Sequence, residues 1–130
     1  MLNFDLNKTL EELEGEAWGE PEFTSNLVLR CHELRRKPLK EFSVEDLRIM
    51  IGQNFSLAYL VPFALSLLAH TPFVGGDFYK GDLLVVTLRI GQDFWNANPE
   101  LYYELDLIVT DVKSTIDTLF PLVNSFKKPY

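Results

Sequence analysis

Apolar positions recur at helical spacing over most of the chain, and the longest such pattern lies near its C-terminal end. There, apolar residues follow one another every three or four positions from Leu101 to Leu119. The pattern begins with Asn98-Pro99-Glu100, which is the order of an N-cap, a proline at the first helical position and an acidic first turn. We therefore predict a long amphipathic helix that ends at Pro121.

Capping residues predict three shorter helices in the first half of the chain. Thr9 and Glu12 have the spacing of a capping box, and Ser43 precedes two acidic residues that suit the first turn of a helix. Thr24 or Ser25 is suited to cap the helix between these two. The apolar side of that helix is formed by Leu27, Cys31 and Leu34.

The segment 56–69 is apolar on nearly every face, which is typical of a buried central helix. We expect it to start near Ser56 and to show a kink or register break at Pro62. The next segment, Leu83 to Ile90, contains enough β-branched residues to form a strand. Because its neighbours are helical and Asp82 can cap a helix, a helix is predicted there instead.

Five or six helices without a hairpin signal predict an all-α fold. The expected architecture is a single domain, residues 1–130, in which a compact helical bundle surrounds the central apolar helix. The start of the chain lacks the features of a signal peptide, and the apolar segment is too short to span a bilayer. These features predict a cytoplasmic protein that does not contact a membrane.

The formal net charge of −7 disfavours direct binding to nucleic acid and favours a basic partner. Between Lys8 and Arg30 six glutamates surround Trp18 without an intervening basic residue: Glu11, Glu12, Glu14, Glu16, Glu20 and Glu22. This acid block is either a solvated face whose tryptophan pins a loop, or a docking surface with an aromatic anchor. The basic residues around Pro38 are expected to balance either the charge of this block or the negative C-terminal end of the preceding helix.

No spacing in the sequence indicates catalysis, a metal site or a cofactor site. The single cysteine, Cys31, and the two histidines, His32 and His70, do not form a zinc motif or a nucleophile–base pair. Asp77 and Asp82 lie beside glycines and are typical of turns. We expect structural roles for Cys31 and the two histidines, with Cys31 in the core, and no catalytic role for Asp77 and Asp82.

Several motifs, in their order along the chain, resemble one group of bacterial contact-dependent growth inhibition (CDI) immunity proteins. The similarity runs from about Thr9 to Trp95. The motifs are Leu10-Glu11-Glu12-Leu13-Glu14-Gly15, Trp18-Gly19-Glu20-Pro21, Lys37-Pro38-Leu39, Glu45-Asp46-Leu47-Arg48, Ile51-Gly52-Gln53, Leu60-Val61-Pro62 and Gly76-Asp77-Phe78-Tyr79-Lys80-Gly81-Asp82-Leu83-Leu84.

The resemblance implies a non-enzymatic protein that binds the C-terminal toxin domain of a CDI effector and occludes its active site. We expect the toxin to be a basic nuclease, and the free immunity protein to be a monomer or a weak homodimer. The candidate toxin-binding residues are Glu11, Glu14, Glu16, Trp18, Glu20, Glu22, Asp77 and Asp82. The alternative is a helical adaptor or regulator that self-associates through the apolar stripe of residues 101–119.

Overall fold

The computed structural model describes residues 2–21 and 25–127, and within these ranges it contains seven α-helices and no β-strand. The helices are α1 (Leu10–Glu14), α2 (Asn26–Arg35), α3 (Val44–Gly52), α4 (Leu57–Leu68), α5 (Asp82–Leu88), α6 (Gln92–Ala97) and α7 (Pro99–Ser125). The predicted all-α class is confirmed. The short helix α6, which the apolar pattern did not indicate, raises the number above the expected five or six.

Both α1 and α3 begin with a complete capping box. In α1 the Thr9 hydroxyl accepts a hydrogen bond from the Glu12 amide, and Glu12 Oε1 accepts one from the Thr9 amide. In α3, Ser43 and Asp46 exchange the same pair of bonds. These four residues satisfy donors that a helix start would otherwise leave unpaired, so local sequence alone fixes where both helices begin.

Helix α2 is capped by Ser25, whereas Thr24, the other candidate, lies outside the described residues. Cys31 and Leu34 are buried as predicted. The prediction for Leu27 was wrong, because its side chain is 44% exposed. Leu27 lies in the first turn of α2, whereas the buried residues of this helix all lie in its second half.

Helix α4 is the central element, since it packs against α3, α5 and α7. Its core-facing residues are Leu60, Val61, Ala64, Leu65 and Leu68. The helix continues without a break through Pro62, so the predicted register break does not occur. Proline at this position removes the hydrogen bond to the carbonyl of Ala58, and Ala58 lies at the surface, where water can replace that donor.

The ambiguous segment after Asp82 is helical, as predicted, and forms α5. Thr87 is buried on this helix, and its hydroxyl donates to the Leu83 carbonyl at 2.8 Å, which satisfies the polar group in the core. The predicted cap was wrong. Gly81, with a φ of 90°, occupies the N-cap position, and Asp82 is the first helical residue.

Helix α7 is 27 residues long and continues through Pro121 to Ser125, so the predicted end was wrong. Its buried residues are Leu105 and Ile108, whereas Ile116 and Leu119 are about half exposed at 47% and 49%. The first half of the predicted stripe therefore packs on α4 and α6, and the second half extends past the core. Among the described residues, no helix has the length and apolar character needed to cross a membrane.

Replacing Leu65 by alanine should lower the free energy of unfolding by about 2–5 kcal/mol, because the residue is 2% exposed in the centre of the bundle. Urea denaturation of the two proteins measures the difference. As the matched control, Leu119→Ala on the exposed half of α7 should cost less than about 0.5 kcal/mol. Equal losses in both variants would contradict this description of the core.

Candidate protein-docking surface

Two of the predicted toxin-binding glutamates are held by the arginines at the C-terminal end of α2, Arg35 in its last turn and Arg36 at its C-cap. Glu11 Oε1 pairs with Arg36 Nε at 3.0 Å, and Glu14 Oε1 pairs with Nη1 of Arg35. Arg35 is 2% exposed, and its Nη2 also donates to the Glu16 carbonyl at 2.7 Å. The acid block is therefore partly neutralised within the protein, as the basic residues around Pro38 led us to expect.

Glu14 joins three elements of the fold. Besides Arg35 of α2, its Oε1 accepts a hydrogen bond from the hydroxyl of Ser56, the residue before α4, at 3.0 Å. Ser56 has a φ of 54°, and its hydroxyl does not cap α4. Next to this contact the Tyr59 hydroxyl donates to the Leu13 carbonyl at 3.1 Å. Glu14 therefore connects α1 to both α2 and the start of α4.

Trp18 is half-buried and packs against side chains from three directions. Its ring meets those of His32 and Phe55 edge to face, with centroids 5.0 and 4.8 Å apart. The guanidinium carbon of Arg35 lies 4.5 Å from the ring centroid, a cation–π distance. His32 Nδ1 lies 3.2 Å from the Gly19 carbonyl. These contacts support the interpretation in which Trp18 pins its loop to the core.

Two other members of the acid block are not held by arginines as Glu11 and Glu14 are. The side chains of Glu16 and Glu20 are exposed and take no part in an ion pair within the described part of the chain. Glu22 lies outside the described residues. Glu16 and Glu20 are thus the described candidates in this block whose carboxylates are available to a partner.

Asp82, another candidate toxin-binding residue, is buried and accepts hydrogen bonds from backbone amides of the loop before α5. Its Oδ1 accepts a hydrogen bond from the Gly76 amide at 2.7 Å, and its Oδ2 accepts bonds from the amides of Phe78 and Tyr79 at 3.1 and 3.4 Å. Burial by itself would raise the pKa of Asp82, but these amides and the nearby Arg48 outweigh it and lower the pKa from its ordinary value of 3.8. Asp82 therefore supports the loop from inside.

A second carboxylate supports the same loop from α3. Glu45 accepts two hydrogen bonds from Arg48, at 2.6 and 2.5 Å, and its Oε1 also accepts one from the Asp77 amide at 2.9 Å. The bonds from Arg48 lower the pKa of Glu45. At Gly76 the backbone passes so close to Glu45 that a Cβ would collide with Oε1.

This loop presents aromatic and acidic groups to solvent on a fixed backbone. Phe78 is 70% exposed, and its ring lies over the guanidinium of Arg48, with 3.9 Å between Cζ and the ring centroid. Tyr79 and Asp77 beside it are also exposed. A large aromatic side chain on a preorganised backbone loses little entropy on binding, which is typical of an interface anchor. The sequence indicated Asp77 and did not indicate Phe78.

Buried Asp46 forms ion pairs with two further basic residues near Pro38, Arg30 and Lys37. Its carboxylate pairs with Arg30 Nη2 at 2.6 Å and with Lys37 Nζ at 2.7 Å. Burial opposes ionisation of Asp46, but the hydrogen bonds from Lys37, the Ser43 amide and Arg30 outweigh it and lower its pKa. Through these ion pairs Arg30 and Lys37 attach α2 and the loop that follows it to α3.

The largest group of unneutralised acids lies on α7. This helix carries five carboxylates and one basic residue, Lys113: the carboxylates are those of Glu100, Glu104, Asp106, Asp111 and Asp117. None of the five forms an ion pair with a basic group of residues 2–21 or 25–127. The sequence pattern identified α7 as amphipathic, but the candidate residues did not include these acids, because their lack of internal partners is a tertiary property.

The described residues do not bring together three side chains that could hold a metal ion. Cys31 is 2% exposed, and burial raises the pKa of its thiol, which disfavours a reactive thiolate. The loop before α5 presents acidic and aromatic side chains to solvent on a supported backbone. Such an arrangement suits the binding of another protein.

Replacing Trp18 by alanine should lower the free energy of unfolding by about 1–3 kcal/mol, because the loop loses its packing against Phe55 and Arg35. Thermal and urea denaturation measure the loss. Phe78→Ala is the matched control, since it removes an aromatic ring that is mostly exposed, and it should cost clearly less. An unchanged melting temperature for the Trp18 variant would show that the ring does not stabilise the core.

Replacing Asp82 by asparagine should cost about 1–3 kcal/mol at neutral pH, because the new amide group cannot accept bonds from the loop amides on both sides. The folded-state pKa is below the unfolded one, so the stability from the ionised carboxylate is present above the unfolded value and is lost as the pH falls. Urea denaturation from pH 7 to 3 should therefore show a smaller acid-induced loss in the variant. Parallel pH curves would contradict this role for Asp82.

Comparison with known proteins gives one informative match. A family model described as CDI immunity proteins matches residues 12–105, which is most of the chain. Neither the curated proteins nor the solved structures provide a significant match. The matched range includes the loop before α5, which Asp82 and Glu45 support, and most of the acid block. It ends within α7. The chain belongs to the family of CDI immunity proteins.

Proposed function

We propose that this protein binds the C-terminal toxin domain of a cognate CDI effector and neutralises it by occluding the active site. The observation that carries the proposal is the family match over residues 12–105, because an immunity protein implies a toxin partner. The mechanism is stoichiometric and requires no catalysis by the immunity protein. Docking over the toxin's cleft, or beside it, excludes the substrate.

The charge distribution supports a basic toxin, and we propose that it is a nuclease. A nuclease must hold a polyanion, so its cleft carries positive charge that an acidic inhibitor can match. The immunity protein has a net charge of −7, and the acids that lack an ion-pair partner in the described part of the chain lie at its surface. We further propose that it acts in the cytoplasm, where such a toxin would meet its substrate.

The candidate residues divide into two groups in this proposal. Glu16, Glu20 and Asp77 contact the toxin directly, because their side chains are exposed, and Glu22 is assigned to the same group from its place in the acid block. The others hold the contact surface in shape: Glu11, Glu14, Trp18 and Asp82. Phe78 joins the first group as an aromatic anchor beside Asp77.

The test of the function is protection and binding with a defined probe: the C-terminal domain encoded by the reading frame directly upstream. Cells that produce this domain should grow when the immunity protein is co-produced and should stop growing without it. The two purified proteins should form a one-to-one complex. A domain that is toxic but neither binds nor is neutralised would overturn the proposal.

Reversing Glu16 and Glu20 to lysine should slow association with that domain by more than tenfold, equivalent to about 1.4 kcal/mol. Exposed opposite charges steer the encounter, so the difference from wild type should shrink as salt rises. Stopped-flow kinetics at several salt concentrations measure both effects. Glu14 stays unchanged, because a lysine there would face the buried Arg35.

The matched control reverses two other exposed acids, Glu41 and Asp93, and so produces the same net charge. This control should slow association less than the reversal of Glu16 and Glu20. Equal slowing would indicate a general charge effect. Association at the wild-type rate in the folded Glu16 and Glu20 variant would remove the acid block from the contact surface.

A second candidate function is self-association through α7, as an adaptor or regulator. The supporting observation is the uncovered apolar stripe on the second half of the helix, where Ile116, Leu119 and Val123 are 47–69% exposed. Helices that expose apolar positions at this spacing commonly pair with another helix. Light scattering after gel filtration tests this candidate, and a monomer at all concentrations would reject it.

A further inference from the structure

An open groove of about 570 Å³ lies between α4 and the first half of α7. Its lining includes Pro62 and Leu65 from α4, Leu101 and Ile108 from α7, and Phe4 from the N-terminal segment. The volume is within the range of sites that enclose a side chain or a short segment of a ligand. The groove therefore has an apolar base that no side chain of residues 2–21 and 25–127 fills.

Two carboxylates border the groove, and no basic residue lines it within the part of the chain that the structure describes. Glu100 and Glu104 lie one turn apart on α7, so their side chains project from the same face of the helix. Like charges at this spacing repel each other, and neither carboxylate is neutralised by an ion pair within residues 2–21 and 25–127. A cation placed between them would remove that repulsion.

The groove and the acid block approach each other at the start of α4. Ala58 lines the groove, and Ser56, two residues earlier, is hydrogen-bonded to Glu14 of the acid block. Phe4, at the N-terminal side of the groove, packs on Tyr59, whose hydroxyl donates to the Leu13 carbonyl. The acid block and the groove are thus connected through the first turn of α4.

We infer that the groove receives a lysine- or arginine-bearing segment of the toxin domain; this inference rests on the proposed function. The aliphatic stem of such a side chain packs on the apolar base, while its charged head reaches the carboxylates of Glu100 and Glu104. This division of a long basic side chain matches the lining of the groove, in which Leu65 and Ile108 are buried whereas the two carboxylates are exposed. The family match ends at residue 105. The groove is therefore lined partly by residues inside the matched range and partly by residues after it, Leu107 and Ile108.

The test compares two double variants of α7 against the same upstream-encoded toxin domain. Glu100→Gln with Glu104→Gln removes the two groove carboxylates while keeping the side-chain shape, and affinity measured by calorimetry should fall at least tenfold. Asp106→Asn with Asp117→Asn is the matched control, because it changes the net charge by the same amount on another face of α7. On that face Asp106 lines a different cleft together with Trp95 and Tyr102. The control should bind nearly as tightly as the wild type.

A third variant tests the groove by volume. Ser66 is exposed and lines the groove, so Ser66→Trp fills it without disturbing the core and should also weaken binding at least tenfold. Thr110→Trp places the same ring on an exposed position of α7 that does not line the groove, and it should bind normally. Circular dichroism and urea denaturation verify that all four variants are folded.

The outcomes separate the inference from the proposed function. A toxin domain that the wild-type protein neither binds nor neutralises overturns both. If the wild type binds and protects, wild-type affinity in the two groove variants overturns the groove alone. An equal loss in the groove and control double variants also overturns it, because the effect is then one of net charge. A homodimer that the groove variants dissociate would assign the groove to a second copy of the chain and overturn the inference.

Discussion

The ion pair between Arg35 and Glu14 is the interaction on which the N-terminal third of the protein depends. Arg35 is almost fully buried, and a buried guanidinium without partners would be very unfavourable. Its Nη1 donates to Glu14 of α1 and to the hydroxyl of Ser56 at the start of α4, its Nη2 donates to the Glu16 carbonyl, and Trp18 covers its face. Its Nε has no hydrogen-bond partner among the described residues. A single cation thus determines how α1, the following loop and α4 are arranged around α2.

Buried and half-buried carboxylates perform the corresponding task around α3. Asp46 completes the capping box of α3 and holds Arg30 and Lys37, while buried Asp82 and half-buried Glu45 together fix the loop that carries Phe78. In each case an ionised side chain replaces its lost hydration with several hydrogen bonds. These groups stabilise the loops next to α3 and hold exposed side chains such as Phe78 on a fixed backbone.

The acids of this protein therefore belong to two populations with different consequences. Those within α1 and α3 are largely paired and maintain the fold, whereas the five on α7, like Glu16 and Glu20, have no ion-pair partner among the described residues. The same helix exposes apolar residues beyond the core. Negative charge and apolar surface occur together on one element, an arrangement that suits a basic partner with both kinds of contact.

The sequence by itself determined the helical class, both capping boxes and the buried centre of α4, because these depend on neighbours within a few positions. The family motifs likewise lie within short segments. Tertiary structure alone decided that Leu27 and Leu119 stay exposed, that Asp82 serves a loop instead of capping a helix, and which glutamates face an arginine. Apolar spacing shows which side of a helix can be buried, but a partner element must be present to bury it. Likewise, a carboxylate's availability depends on which distant cations the fold brings within reach.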